Sequence, residues 1–100
     1  MKKNKNYFVY ILECSDKTLY TGYTVDIKRR LLEHNNSKGA RYTRGRTPVK
    51  LIYLEEYEDL SSALKREFEI KQKTKQQKIE LINLSNGNGG ISIEEIFSDR

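Results

Sequence analysis

Tyr7-Phe8-Val9-Tyr10-Ile11-Leu12, followed after Ser15-Asp16-Lys17 by Leu19-Tyr20-Thr21-Gly22-Tyr23, is the stretch that decides the fold. Both runs are rich in aromatic and β-branched residues, which suit strands. The Ser-Asp-Lys between them is turn chemistry, so residues 7–12 and 19–23 read as a β-hairpin. Thr24 can then N-cap a helix with Asp26 in its first turn. Ile27, Leu31 and His34 share one helical stripe, and residues 35–39, ending in Gly39, close it.

Further out, residues 38–48 form a basic loop and residues 49–57 a third strand. Asp59 caps a second helix over residues 60–73. Thr74, with Gln77 three residues on, forms a capping box that opens a third helix through residue 82. The glycine-rich stretch 86–90 is a flexible break, and Ser92 with Glu95 marks a short helix over 91–97. The expected architecture is α+β, a small three-stranded antiparallel sheet flanked by helices in the order ββαβαα. Residues 1–84 form the domain and residues 85–100 a flexible tail.

Composition narrows the class. One hundred residues make one domain with one modest core, and a 36% apolar fraction with ten aromatics argues against a disordered chain. A single cysteine, Cys14, allows neither an internal disulfide framework nor a multi-cysteine zinc site. The longest apolar run is too short for a membrane span or signal core, so the expectation is a cytoplasmic protein. The net charge of +5 is unevenly spread: residues 28–50 carry eight cations against Glu33 alone, a local excess of seven. A second basic stretch spans residues 65–78. Basic surfaces of this kind meet polyanions, although scattered solvated side chains are the plainer reading.

Three features break the pattern of a chain that only packs. On the second helix Leu60, Ala63, Leu64, Phe68 and Ile70 cluster on one side, with Glu67 in the middle of that sector and Glu69 opposite. A carboxylate there is either paired with arginine at the sheet edge or ligates a metal. On the first helix Arg30 and His34 stand at i and i+4, a phosphate-binding fork beside a group that moves protons near neutral pH. A lone histidine is more often a packed core residue, and the pairing with Arg30 is what raises its interest. Tyr7, Tyr10, Tyr20 and Tyr23 crowd the hairpin, where packing is the default role and orienting an attacking water the sharper one.

Taken in order, Phe8-Val9-Tyr10, Tyr20-Thr21-Gly22, Arg30, His34 and Glu67 resemble the GIY-YIG nuclease superfamily, in particular its small single-domain bacterial members. The resemblance spans residues 7–83. No single piece is specific, but the ordered set is. It implies divalent-metal-dependent hydrolysis of DNA phosphodiesters, in DNA repair or processing. Carried over, Glu67 would hold one Mg²⁺ or Mn²⁺ and Arg30 would neutralise the scissile phosphate. Tyr10 and Tyr20 would line the site, with one of them or His34 handling the water, and Gly22 would let the backbone pass close. The first motif's glycine is Phe8 here, a change in packing and groove shape.

Charge and aromaticity mark Lys28, Arg29, Lys38, Arg41, Tyr42, Arg44 and Arg46 as candidates for phosphate contact and base stacking. The expected partner is DNA, with RNA left open and no membrane. The expected state is a monomer that draws specificity from a protein partner, since no attached DNA-binding domain accompanies the core. The leading reading is an endonuclease selective for structure rather than sequence. The alternatives are a non-catalytic nucleic-acid-binding module on the same fold, and a protein-interaction domain with incidental charge.

Overall fold

The computed structural model describes residues 6–36 and 38–87, with side chains through residue 85. Strands β1 (Tyr7–Glu13) and β2 (Leu19–Thr24) form the expected antiparallel hairpin, with Tyr10 opposite Gly22 and Leu12 opposite Tyr20. The turn is held from within: Asp16 Oδ1 accepts from the Thr18 amide at 3.1 Å and the Thr18 hydroxyl at 2.6 Å. Strand β3 (Lys50–Tyr57) pairs antiparallel along the other edge of β1, giving the order β2-β1-β3.

The unbroken apolar run of β1 follows from its central place, because a strand covered on both faces has no polar side to alternate with. Tyr10 and Leu12 face one core with Cys14, Ile27, Val49, Leu51 and Leu54. Val9 and Ile11 face the other with Tyr53, Ala63 and Ile70. Helix α1 (Ile27–Asn35) contributes to the first core, and helices α2 (Leu60–Lys71) and α3 (Lys75–Gly87) to the second. A single 3-10 turn, Arg41–Thr43, interrupts the basic loop. The ββαβαα order and the α+β class agree with the sequence reading. No helix among the described residues is long and apolar enough to cross a membrane.

Two helix starts are as the sequence implies. The Asp59 carboxylate accepts from the Ser62 amide at 2.7 Å. The Thr74–Gln77 box closes in both directions, at 3.1 Å from the Gln77 amide to Thr74 Oγ1 and 2.9 Å from the Thr74 amide to Gln77 Oε1. The first helix differs. Its N-cap is Asp26, which accepts from the Arg29 amide at 3.1 Å, and not Thr24. Thr24 is still in β2, and its hydroxyl accepts from the Asp26 amide at 3.1 Å, making the turn that sets Asp26 at the helix start. Helix α3 passes residue 82 and the expected boundary at 84, running over Lys75–Gly87, and no proline stands in its way. Residues 88–100, with the rest of the expected tail and the Ser92–Glu95 box, lie outside the described residues.

The packing face of α2 is the larger correction. Leu60, Leu64 and Phe68 are exposed, Phe68 by 64%, and the buried residues are Ala63 and Ile70. The contact stripe is 63/66/67/70, rotated by roughly 70° from the apolar sector at 100° per residue. Arg66 explains the rotation. Its guanidinium turns inward to the β3 carboxylate of Glu55, with Nε at 3.0 Å from Oε1 and Nη2 at 3.0 Å from Oε2. Tyr57 donates to the same carboxylate at 2.5 Å, as does Tyr53. The arginine–glutamate pair expected as one fate for Glu67 therefore exists, but it belongs to Glu55.

Candidate active site

His34 is reached from the sequence by one step, i+4 from Arg30 on α1, but its chemistry is set by the loop that follows. The side chain is fully buried, and both ring nitrogens are engaged. Nδ1 lies 2.8 Å from Thr43 Oγ1, and Thr43 Oγ1 donates to the Ala40 carbonyl at 2.9 Å. With its proton committed there, the threonine oxygen can only accept, so the hydrogen-bond network assigns the imidazole proton to Nδ1. Nε2 is then an acceptor, and Tyr10 Oη, 3.0 Å away, donates to it. Arg30 lies close enough to the Tyr10 oxygen to pull against the rise in its pKa. The result is a one-way chain of donors from Tyr10 through His34 and Thr43 to a backbone carbonyl, with the charge of Arg30 beside its head.

The electrostatics follow from this chain. Burial, with the positive charge of Arg30 added, lowers the His34 pKa to about 4, so the ring is neutral at pH 7. Burial raises the Tyr10 phenol to about 12 despite the hydrogen bond from Arg30. Arg30 is also gripped from its other side by Glu33, Nη1 to Oε1 at 2.9 Å, and its side chain keeps 29% of its surface exposed. Its guanidinium is thus fixed in direction and open to solvent.

Two glycines make room for the chain. A Cβ at Gly22 would stand 2.7 Å from Tyr10 Oη and 2.8 Å from its Cζ, with Tyr20 Cε2 at 3.0 Å. The strand position opposite Tyr10 is glycine because the phenol lies over it. Gly39 meets His34 in the same way, at 2.4 Å from Nδ1 and 2.8 Å from the backbone Cα. Neither Gly39 nor Thr43 was singled out in the sequence. Gly39 reads as a helix terminator, and nothing in a single chain marks a threonine nine residues on as the partner of a histidine.

Aromatic contacts extend the cluster outward. Tyr20 is half-buried, its ring centroid 5.4 Å from His34 and 6.3 Å from Tyr10. Tyr42 stacks on its outer side at 5.9 Å and 22°, and the Arg46 guanidinium covers Tyr42 at 4.4 Å. Arg46 is bound further, to Asp16 Oδ2 at 2.6 Å and to the Tyr42 carbonyl at 2.8 Å, and so fastens the basic loop to the hairpin turn. Lys38, Arg41 and Arg44 are exposed on that loop, and Lys28 and Arg29 are exposed on α1, where Arg29 faces Glu33 at 3.6 Å.

Tyr10, Tyr20, Gly22, Arg30 and His34 thus meet at one place. Glu67 arrives from α2, 15% exposed, with Lys71 Nζ 3.3 Å from Oε2. It is close enough for its charge to raise the Tyr10 pKa. Among the described residues no three His, Cys, Asp or Glu side chains cluster as a metal site. A lone carboxylate suits Mg²⁺ or Mn²⁺, which keep water and take substrate oxygens, and does not suit tetrahedral zinc.

Comparison with known proteins agrees with the fold. Residues 6–80 match the family described as the GIY-YIG catalytic domain. A UPF0213 protein of Syntrophus aciditrophicus is 60% identical over 80 residues, which cover 79% of this chain and 91% of that one. A UPF0213 protein of Haloquadratum walsbyi is 55% identical over 78 residues, 78% of this chain and 88% of that one. The solution NMR structure of a protein from E. faecalis has a TM-score of 0.62 at 36% identity, covering 92% of this chain and 98% of that one. That of a UPF0213 protein from Bacillus halodurans has a TM-score of 0.55 at 42% identity, covering 83% and 88%.

Proposed function

The chain belongs to the GIY-YIG family, and from that premise we propose that it is a divalent-metal-dependent endonuclease that hydrolyses DNA phosphodiesters, selecting structure rather than sequence, in repair or processing of DNA. The observation that carries the reading is Arg30 at the head of the donor chain. An arginine needed only for packing would not stand beside a buried tyrosine–histidine–threonine relay and be gripped by a glutamate while still facing solvent. Such a guanidinium is organised in advance for a charge that arrives with the substrate.

The roles follow from access. Arg30 meets the non-bridging oxygens of the scissile phosphate by its planar fork. His34 touches no solvent, so it does not meet the attacking water; it is a positioning residue that accepts the Tyr10 proton and thereby turns the Tyr10 oxygen toward Arg30. Tyr20, the more accessible phenol of the pair, orients the water against the phosphorus. Glu67 is the residue that would hold the divalent cation, which when bound supplies Lewis acidity at the phosphate and charge for the departing oxygen. Lys28, Arg29, Lys38, Arg41 and Arg44 add attraction for the strand, and Tyr42 a platform for a base.

The test is cleavage of duplex, single-stranded and branched DNA by the purified protein with Mg²⁺ or Mn²⁺. Cutting that depends on the metal and vanishes in both Glu67→Ala and Arg30→Ala is the expected result. Cutting that persists in both overturns the site. Salt-sensitive binding with no cutting under any metal condition would replace the enzyme by the binding module.

A further inference from the structure

Away from the relay, a cleft of about 210 Å³ opens between the hairpin turn, the 3-10 turn and the junction of α2 with α3. Thr18, Leu19, Tyr42, Lys73, Lys75 and Lys78 line it, and no acidic side chain does. Lys78 is the unusual member. It is only 9% exposed, and its ammonium has neither ion pair nor hydrogen bond among the described residues. Burial disfavours its charge, and the charge of Lys71 adds to the effect. Its stem is covered by the fold while its ammonium reaches the cleft, where an anion can meet it.

The lining residue Tyr42 shows where that anion comes from. Its ring stacks on Tyr20, which itself lies against His34, so the cleft begins where the aromatic stack at the candidate active site ends. We propose that Lys73, Lys75 and Lys78 form a second phosphate subsite, which takes a backbone phosphodiester of the same nucleic-acid strand after it has passed over Tyr42. The inference rests on the nucleic-acid reading above but not on cleavage. It gives the basic α2–α3 stretch a role distinct from that of the loop at 38–48. It also gives the strand a direction across the surface, from Arg30 past Tyr20 and Tyr42 to the start of α3. Three ammonium groups around one cleft select a phosphate as a point charge, without reading bases.

The experiment is fluorescence-anisotropy titration of a labelled single-stranded oligothymidine with the full-length protein in EDTA, at several salt concentrations. Lys78→Met is compared with wild type, and Lys73→Gln/Lys75→Gln, at a half-buried and an exposed position, serves as a second variant outside the core. Losing one phosphate contact should weaken binding by about three- to tenfold at 0.1 M salt and reduce the salt slope by about 0.7. The double variant should lose more. Affinity and slope equal to wild type in both variants overturn the subsite and leave the nuclease reading standing. Absence of oligothymidine binding by the wild type overturns the subsite as well. If the subsite variants behave as expected but the wild type cuts DNA under no metal condition, the cleavage reading falls and the subsite remains.

Discussion

His34 is where residue-scale physics is most exposed to measurement. Its imidazole protonates near 6.5 in the unfolded chain and only near 4 in the fold. Between those values the unfolded state binds the proton and the folded state does not. Stability is therefore complete above pH 6.5 and is lost as pH falls toward 4, by about 3 kcal/mol. Because this is the chain's only histidine, no second imidazole shares the window. Thermal unfolding of the wild type should shift down between pH 6.5 and 4.5, and in His34→Gln that slope should flatten while the melting temperature at pH 7.5 drops. A slope in the variant equal to that of the wild type would contradict the buried neutral imidazole. The role of His34 also shows what one sequence can carry. The i, i+4 spacing places Arg30 and His34 on one face by helical geometry alone, so that pair was legible. Thr43 and Gly39 were not, because what binds them to His34 is the return of a loop, which has no periodicity.

At the scale of elements, α2 separates two acidic or basic neighbours that look alike on a helical projection. Arg66 forks the half-buried Glu55, which also receives Tyr53 and Tyr57. The arginine at its side holds the Glu55 carboxyl below the usual range in spite of burial, and burial, with Glu55 adding to it, pushes the Tyr57 phenol up to about 12. Glu67, one residue on, has the half-exposed Lys71 as its ion-pair partner among the described residues. In denaturant titrations Arg66→Ala should cost about 3 kcal/mol by stranding a carboxylate among buried partners. Glu67→Gln should cost less, about 1 kcal/mol, since the amide keeps the side chain's shape and only one half-exposed lysine loses its partner. Equal losses in the two would make Glu67 a structural residue. The sequence placed Glu67 correctly as a misfit, yet misjudged the face that packs. An apolar sector on a projection records where greasy side chains lie, and Arg66's pull toward Glu55 decided which sector turned inward.

Over the whole molecule, the sheet is the support, and helices packed on both of its faces bring the chemistry to it. The central strand β1 brings Tyr10, β2 brings Tyr20 and Gly22, α1 brings Arg30 and His34, and α2 brings Glu67. The hairpin order and strand pairing were readable from the two aromatic runs, because the apolar run of β1 is long enough only for a strand covered on both faces. The charge excess at residues 28–50 was readable too, but its use was not: Arg46 is spent on Asp16 and Tyr42, while the lysines of the second basic stretch gather at a cleft. Arg30 lies at the centre of the account, and the conservative change Arg30→Lys keeps its charge while removing the fork that the relay aligns. The most direct measurement is single-turnover nicking of supercoiled DNA in Mg²⁺ or Mn²⁺ by wild type, Arg30→Lys and Glu67→Gln, with binding measured in parallel in EDTA. The account predicts nicking by the wild type and a rate loss of at least about 100-fold in each variant, with affinity held within about tenfold. Nicking by Arg30→Lys and Glu67→Gln at the wild-type rate, or none by the wild type, would contradict it.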